Sequence, residues 1–394
     1  MKKFLLLTLL FFFPISVQLK SQTNQDTTIF LITCSPGTET YSIYGHSAVR
    51  VVINHTKSDI VYNWGVFDFD TPHFAWKFAK GRLDYLLDTS DFNRFMLEYV
   101  YEKRSVFSQK INLDPNEKKI FLSLIQENLL PQNRAYRYDF FYDDCSTRIR
   151  DLLEKAIGKK LSYPPDERKE IRTFRDLVGD CQRPYPWLKM GVDLIMGSDG
   201  EKKADFRNRM FLPLYLQKNL SMSTVRRDQR LVPLLASPET ILYFEEPQVH
   251  PRFYTTPIFV FTLLFILIVI LSILVKKKVV LRIIDIILFT LFSVLAILMI
   301  FFNFFTDHVQ MRMNMNIIWF NPVIIVCLIC LIMRWSGRIW FRLVFWISVI
   351  YLPLVLLFPF GLNSSFLPIL LILAFRSSVH GEYRWNPLVV SEGQ

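Results

Sequence analysis

Pro257–Val275 reads PIFVFTLLFILIVILSILV, an apolar run interrupted only by the hydroxyls of Thr262 and Ser272. A helix of this length spans roughly the 30 Å hydrocarbon layer of a bilayer, and in lipid only internal backbone bonding satisfies the chain. Similar blocks follow at about 283–302, 317–333 and 339–360, with a shorter fifth run at Phe366–Phe375. On the other side lie residues 23–256, of mixed polarity, preceded by Met1-Lys2-Lys3, the apolar run Phe4–Val17 and a small-residue exit near Ser21. That leader has the pattern of a secretory signal peptide over residues 1–22. The chain therefore divides into an exported domain and a membrane domain, 257–377, with a cytoplasmic tail at 378–394.

Charge sets the orientation. Lys276, Lys277, Lys278, Arg282, Arg334, Arg338, Arg376 and Arg384 flank the blocks on one side, against only Arg312 in the two loops on the other. This obeys the positive-inside rule with residues 23–256 outside, and it favours an odd number of spans, about five. The net charge of +11 is misleading, because residues 22–256 hold 33 Lys+Arg against 31 Asp+Glu. A nucleic-acid partner needs a basic footprint on a soluble face, and the exported part has none.

Within the exported part an α+β front, 23–160, precedes a helical back, 161–256. Thr28–Thr33, His46–Ile53, Asp59–Val66, Arg82–Leu87 and Ser105–Leu113 read as strands, and Phe74–Ala79 and Phe92–Tyr101 as helices. Asp114-Pro115-Asn116-Glu117 is a helix start, with Asp at the cap and Pro at the first helical position, and the helix runs to about Leu130. Tyr136–Tyr142 is an aromatic strand candidate. The segment after Cys145 carries Ile149, Leu152, Leu153 and Ile157 at helical spacing. From Gly158 to Pro257, Pro164, Pro165, Pro184, Pro186, Pro213 and Pro233 break the chain into short helices.

Of the five cysteines, Cys34, Cys145 and Cys181 are exported, while Cys327 and Cys330 lie in the third block and read as helix packing. Three exported thiols leave at least one unpaired, and such a thiol is either buried or reactive. Cys34 with Cys181 is a candidate disulfide; two separate buried thiols are the other reading.

Cys145 sits where an aromatic strand gives way to a helix, a place where free backbone N–H groups and the helix dipole lower a thiol pKa. His46 opens a strand after Gly45 and is the candidate base. The backbone N–H groups of Cys145 and its neighbour are candidate oxyanion donors. Asn63, level with His46 on a neighbouring strand, and Asp68 are the candidates to orient the imidazole. Arg148, one turn on, either stabilises the thiolate, receives a lipid phosphate or is a solvated helix charge. A serine hydrolase is discounted, because Val49 stands where G-x-S-x-G needs its last glycine. His46, His55 and His73 with Asp68 and Asp70 lack metal-ligand spacing.

The stretches Cys34-Ser35-Pro36-Gly37, Tyr44-Gly45-His46-Ser47-Ala48-Val49-Arg50-Val51, Tyr62-Asn63-Trp64-Gly65-Val66-Phe67-Asp68-Phe69 and Tyr136-Arg137-Tyr138-Asp139-Phe140-Phe141-Tyr142-Asp143-Asp144-Cys145-Ser146-Thr147-Arg148 carry a resemblance. Together they resemble the N-terminal periplasmic domain of the Lnb family of bacterial lipoprotein N-acyltransferases, in which a periplasmic thiol-enzyme domain is joined to five membrane helices. The resemblance implies a permuted papain-like domain with His before Cys, Cys145 as nucleophile and His46 as its base. It also implies a bacterial inner-membrane location, diacylated lipoproteins and membrane phospholipid as partners, and no cofactor. Many thiol hydrolases of this kind carry Asn-Cys, whereas here Asp144 precedes Cys145; a carboxylate there raises the thiol pKa unless it turns away to cap the helix. In the loop Thr306–Asn316, the resemblance favours His308 and Asn316 as residues lining the place where a lipid arrives. The alternative reading is a membrane-tethered cysteine peptidase or amidase acting on cell-wall peptide, and a third is a non-catalytic scaffold.

Overall fold

A computed structural model describes residues 26–165, 172–245, 249–357 and 363–383; the expected leader and Arg384 lie outside them. The β-branched run after Gly45 forms one arm of the first hairpin. There β1 (Thr27–Cys34) pairs antiparallel with β2 (His46–Ile53) along its whole length, placing Cys34 opposite His46. Next come β3 (Ser58–Val66), α1 (Phe74–Lys80) and β4 (Asp84–Asp91). β3 and β4 pair through a bulge at Gly65, whose φ of +93° is a left-handed conformation that side chains resist. α2 (Phe92–Tyr101) leads to β5 (Val106–Lys110), which pairs with the other edge of β1.

The expected helix start at Asp114 is present: Asp114 and Glu117 bond each other's backbone N–H in a capping box that opens α3 (Pro115–Leu129). A single turn, α4 (Pro131–Arg134), and a short β6 (Ala135–Arg137) precede α5 (Cys145–Ile157). The aromatic strand thus stops at Arg137, and the chain turns back between Asp139 and Asp143. The inner face of α5, with Ile149, Leu153, Ala156 and Ile157, is buried in one cluster with Val49 and Val51 of β2, Trp64 of β3 and Phe121 and Ile125 of α3. Each fully buried aliphatic side chain there contributes roughly 1.5–3 kcal/mol, which fixes the first turn of α5 against β2.

Residues 161–256 hold the expected helices, α6 (Phe174–Cys181), α7 (Pro186–Ile195) and α8 (Pro213–Met222). They also hold strands that the helical reading lacked. β7 (Leu161–Ser162), β8 (Thr224–Arg227) and β9 (Arg230–Pro233) form a small sheet, and β10 (Glu239–Leu242) joins the main sheet, whose order is β10-β5-β1-β2-β3-β4-β6. Strands this short do not complete enough alternations to declare themselves in sequence.

Among the described residues, four segments are long and apolar enough to cross a membrane: α9 (Pro257–Leu274), α10 (Lys278–Phe304), Met315–Met333 containing α11 (Val323–Met333), and the apolar part of α12 (Arg338–Leu357). The fifth helix, α13 (Phe366–His380), is only about 22 Å long. It packs between α12 and α9 with its apolar side chains largely buried. Arg376 of α13 grips Asp285 of α10 at 2.6 and 2.8 Å and donates to Ser272 of α9 at 2.7 Å, and both charged residues are buried.

Candidate active site

Asp144 turns its carboxylate into the start of α5, where it accepts from the backbone N–H of Ser146 at 2.9 Å and of Thr147 at 2.7 Å. This is the capping alternative raised by the Asp-Cys pair. Burial, then the neighbouring sulfur, pushes the Asp144 carboxyl well above the ordinary carboxylate range, against the donors of Thr147 and Ser146. Cys145 follows as the first helical residue, buried at 5 % exposure. Burial raises its thiol pKa, opposed by the backbone N–H of Ser47, the hydroxyl and N–H of Ser146 and its own N–H. The sulfur is therefore within reach of the residue next to His46, and a bond from Ser146 Oγ to Ser47 Oγ at 3.1 Å ties the two segments together. One expectation is modified. The Ser146 N–H is shared between the Asp144 carboxylate and the sulfur, so of the two expected oxyanion donors the Cys145 N–H is the one outside the cap.

The half-buried His46 places Nε2 2.6 Å from Asn63 Oδ1. An amide oxygen only accepts, so Nε2 carries the proton and Nδ1 keeps a lone pair. Burial lowers the His46 pKa, while the Asn63 bond pulls it back up. Both shifts favour a resting pair of neutral thiol and neutral imidazole. Asp68 lies beyond β3 in an exposed turn, accepting from the Asp70 N–H at 2.9 Å; Asn63, not Asp68, meets the imidazole.

A cavity of about 580 Å³ lies between the turn that precedes α5 and the loop after α10, walled by Tyr138, Asp139 and Asp143 on one side and by Asp307, His308 and Gln310 on the other; neither Cys145 nor His46 lines it. Tyr138 and Tyr136 were not singled out as site residues by the sequence, although their alternation in Tyr136-Arg137-Tyr138 was visible. Both belong to the packing around Cys145. The Tyr136 hydroxyl is buried with no hydrogen-bond partner, and burial with the nearby sulfur and carboxylates pushes its pKa far up.

Two families of protein domains match the chain: the Lnb N-terminal periplasmic domain over residues 17–178 and the Lnb transmembrane domain over residues 248–384. The chain belongs to the Lnb family. No curated protein and no solved structure matches it. It is an α+β periplasmic domain followed by a multi-pass bundle in the inner membrane.

The remaining expected site residues sit where the Lnb periplasmic and transmembrane domains meet, or hold the first turn of α5. Arg148 makes a two-pronged ion pair with Asp143, at 2.6 and 2.8 Å, and stacks 3.6 Å from the Tyr136 ring centroid. Asp143 thus engages the guanidinium on two sides, and the pair holds the turn before the thiol. His308 lines the cavity and binds the Phe78 carbonyl at 2.8 Å. Asn316 does not line it: at 3 % exposure its amide bonds the Leu194 carbonyl at 2.9 Å and accepts from Trp319 at 2.9 Å. Trp319, which donates that bond, is fully buried. Further ties between the domains run from Asp307 to Arg82 at 2.6 Å and from the Gly197 N–H to the Gln310 carbonyl at 2.6 Å. All five cysteines are free, so Cys34 and Cys181 form no disulfide, and burial lifts the Cys34 thiol to about 12. Among the described residues no group of three or more His, Cys, Asp or Glu is placed to hold a metal ion.

Proposed function

We propose that this Lnb-family protein is a cysteine-dependent lipoprotein N-acyltransferase that works by acyl-thioester exchange at the periplasmic membrane face. His46 Nδ1 takes the proton of Cys145, and the sulfur attacks an ester carbonyl of a membrane phospholipid or diacylated lipoprotein. The tetrahedral intermediate expels the alcohol, which takes the proton from His46, leaving a thioester on Cys145. The free α-amine of a diacylated lipoprotein then attacks that carbonyl, His46 accepts the amine proton, and the sulfur leaves and regains it. One ester and one amine become one amide and one alcohol, with no cofactor required. A permuted papain-like order of parts, His46 on a strand and then Cys145 on a helix, belongs to the same reading.

The observation that carries it is the thiol at the head of α5 beside the strand that starts with His46, whose other ring nitrogen is fixed by Asn63. Membership of a family with a lipoprotein-modifying membrane domain supports the substrate class. Mass spectrometry of lipoprotein N-termini from cells with and without the protein tests it: acyl transfer adds a chain to the amine, whereas a peptidase or amidase leaves the chain count unchanged.

Two further results are expected. His46 must be neutral to act as a base, and its pKa lies below the ordinary 6.5. The acid limb of kcat/KM therefore falls below pH 6.5, with activity rising as pH increases through it. Asn63→Ala removes a bond that favours the charged ring, so the limb moves further down while the rate drops; a limb moving upward contradicts the assignment. The second concerns Tyr136, whose unpartnered hydroxyl suits a donor to the oxyanion. Tyr136→Phe is expected to lower kcat by about 10–10³-fold. Loss of a buried unsatisfied group leaves thermal stability equal or higher. Parallel loss of melting temperature and activity would instead mark a packing role.

A further inference from the structure

A line of aromatic rings leads away from the candidate nucleophile, and acyl transfer as described above does not use it. Phe78 stacks on Phe74 with centroids 6.1 Å apart, Phe74 lies 5.9 Å from Phe67, Phe67 lies 5.2 Å from Tyr85, and Tyr85 lies 4.6 Å from Tyr138. The inner end is near the thiol: Tyr138 walls the cavity, and the Cys145 sulfur lies close enough to add to the upward pKa shift that burial gives the Tyr138 hydroxyl. The outer end is at the bilayer. Trp76 of α1 lies 5.5 Å from Phe301, in the last turn of the membrane helix α10, and Phe78 touches His308 of the loop that follows.

The outer rings are open, with Phe69 66 %, Trp76 58 % and Phe78 50 % exposed. Interfacial anchoring explains aromatic residues at headgroup level, which accounts for Trp76 and Phe78. It does not account for Phe67, Phe74 and Tyr85, which continue inward from that level toward the thiol. A strip with one end among membrane helices and the other beside a sulfur suits a long apolar ligand whose reactive group is at one end. Lys77 and Lys80 on the same helix add positive charge at the level where a lipid phosphate lies.

Resting on the acyl-transfer reading, we propose that this strip binds one fatty acyl chain of a lipid drawn from the periplasmic leaflet. The chain lies along Phe78, Phe74, Phe67 and Tyr85, its tail still in the bilayer and its ester carbonyl at Cys145. Burying a methylene gains about 0.8 kcal/mol, so each contact along the strip helps offset lifting the ester out of the headgroup layer.

The test uses the full-length protein in phosphatidylethanolamine vesicles doped with a phospholipid carrying a diazirine on its acyl chain, followed by irradiation and peptide mapping. Label is expected on residues 67–85 in the natural protein and in Cys145→Ser, and it should fall roughly tenfold in a Phe67→Ser/Phe74→Ser double variant. Because that variant risks misfolding, the bulkier Phe67→Trp provides a second measurement: it should shift the preferred donor toward shorter chains. Label confined to the membrane helices, or a chain preference unmoved by Phe67→Trp, overturns the strip. Weighing Cys145 in the same samples separates the two proposals. A thioester without strip label removes the strip and keeps acyl transfer, whereas strip label with no thioester under any donor removes acyl transfer.

Discussion

Cys145→Ser is expected to lower N-terminal acylation by on the order of 10⁴-fold or more, while the protein remains folded and membrane-inserted. The imidazole of His46 has a lowered pKa, which makes it adequate for a thiol but too weak for a serine hydroxyl. The fold tolerates the change because Ser is close in size and the Ser146 hydroxyl and the Ser47 backbone N–H offer partners to the new oxygen. Residues that act as one unit are not additive, so His46→Ala on top of Cys145→Ser should add little further loss. Intact-mass measurement of the protein after exposure to phospholipid gives the complementary readout: an acyl adduct on the natural chain and none on the variant. Full acylation by Cys145→Ser would end the thioester mechanism.

The second large effect is expected at Gly197, where no chemistry occurs. A Cβ added there would stand 1.9 Å from the Arg312 carbonyl oxygen, an impossible approach between two backbones, although the φ of −91° is ordinary for any residue. Gly197→Ala must therefore push the loop after α10 away from the periplasmic domain and break the Gly197–Gln310 and Ser198–Arg312 backbone bonds, at 2.6 and 3.1 Å. Overpacking of this kind costs about 1–3 kcal/mol, and a misplacement of about 1 Å is enough to cost about 10²-fold in rate. Transfer from bilayer lipid should fall by about that factor, while alkylation of Cys145 by a small water-soluble reagent continues at the natural rate. Gly191→Ala is the control, because a Cβ there meets nothing within 4 Å. Equal activity of the two variants would show that the domains need not hold this registration.

Much of this was legible in the residues, for reasons that differ from place to place. His46–Ile53 and Phe92–Tyr101 came out with their observed bounds because each has a local stop and an unbroken period. Asn63 reaches His46 because β3 pairs with β2, although the register, with Tyr62 opposite Val49, leaves it two places from level with the imidazole; Asp68, past the strand end, enters a turn instead. The fate of Arg148 was hidden, since Asp143 claims it through a turn that only the Asp139–Asp143 pairing creates. Asn316 looked like a polar loop residue; its burial depends on Leu194, 122 positions earlier in the chain. The Tyr136 hydroxyl was invisible for another reason, because lack of a partner is a property of the packed state alone.

The grip of Arg376 on Asp285 has a consequence for how the protein is made. A guanidinium on a short helix costs about 2.5–3.5 kcal/mol to insert into lipid by itself, so the translocon has little reason to release α13 sideways as an independent segment. Its carboxylate partner is synthesised some ninety residues ahead, on a helix already installed, and only there is the charge neutralised. The last helix should thus join late, recruited by earlier ones rather than by hydrophobicity. Asp285→Ala would then leave the C-terminus accessible to cytoplasmic proteases before any effect on the distant thiol is felt.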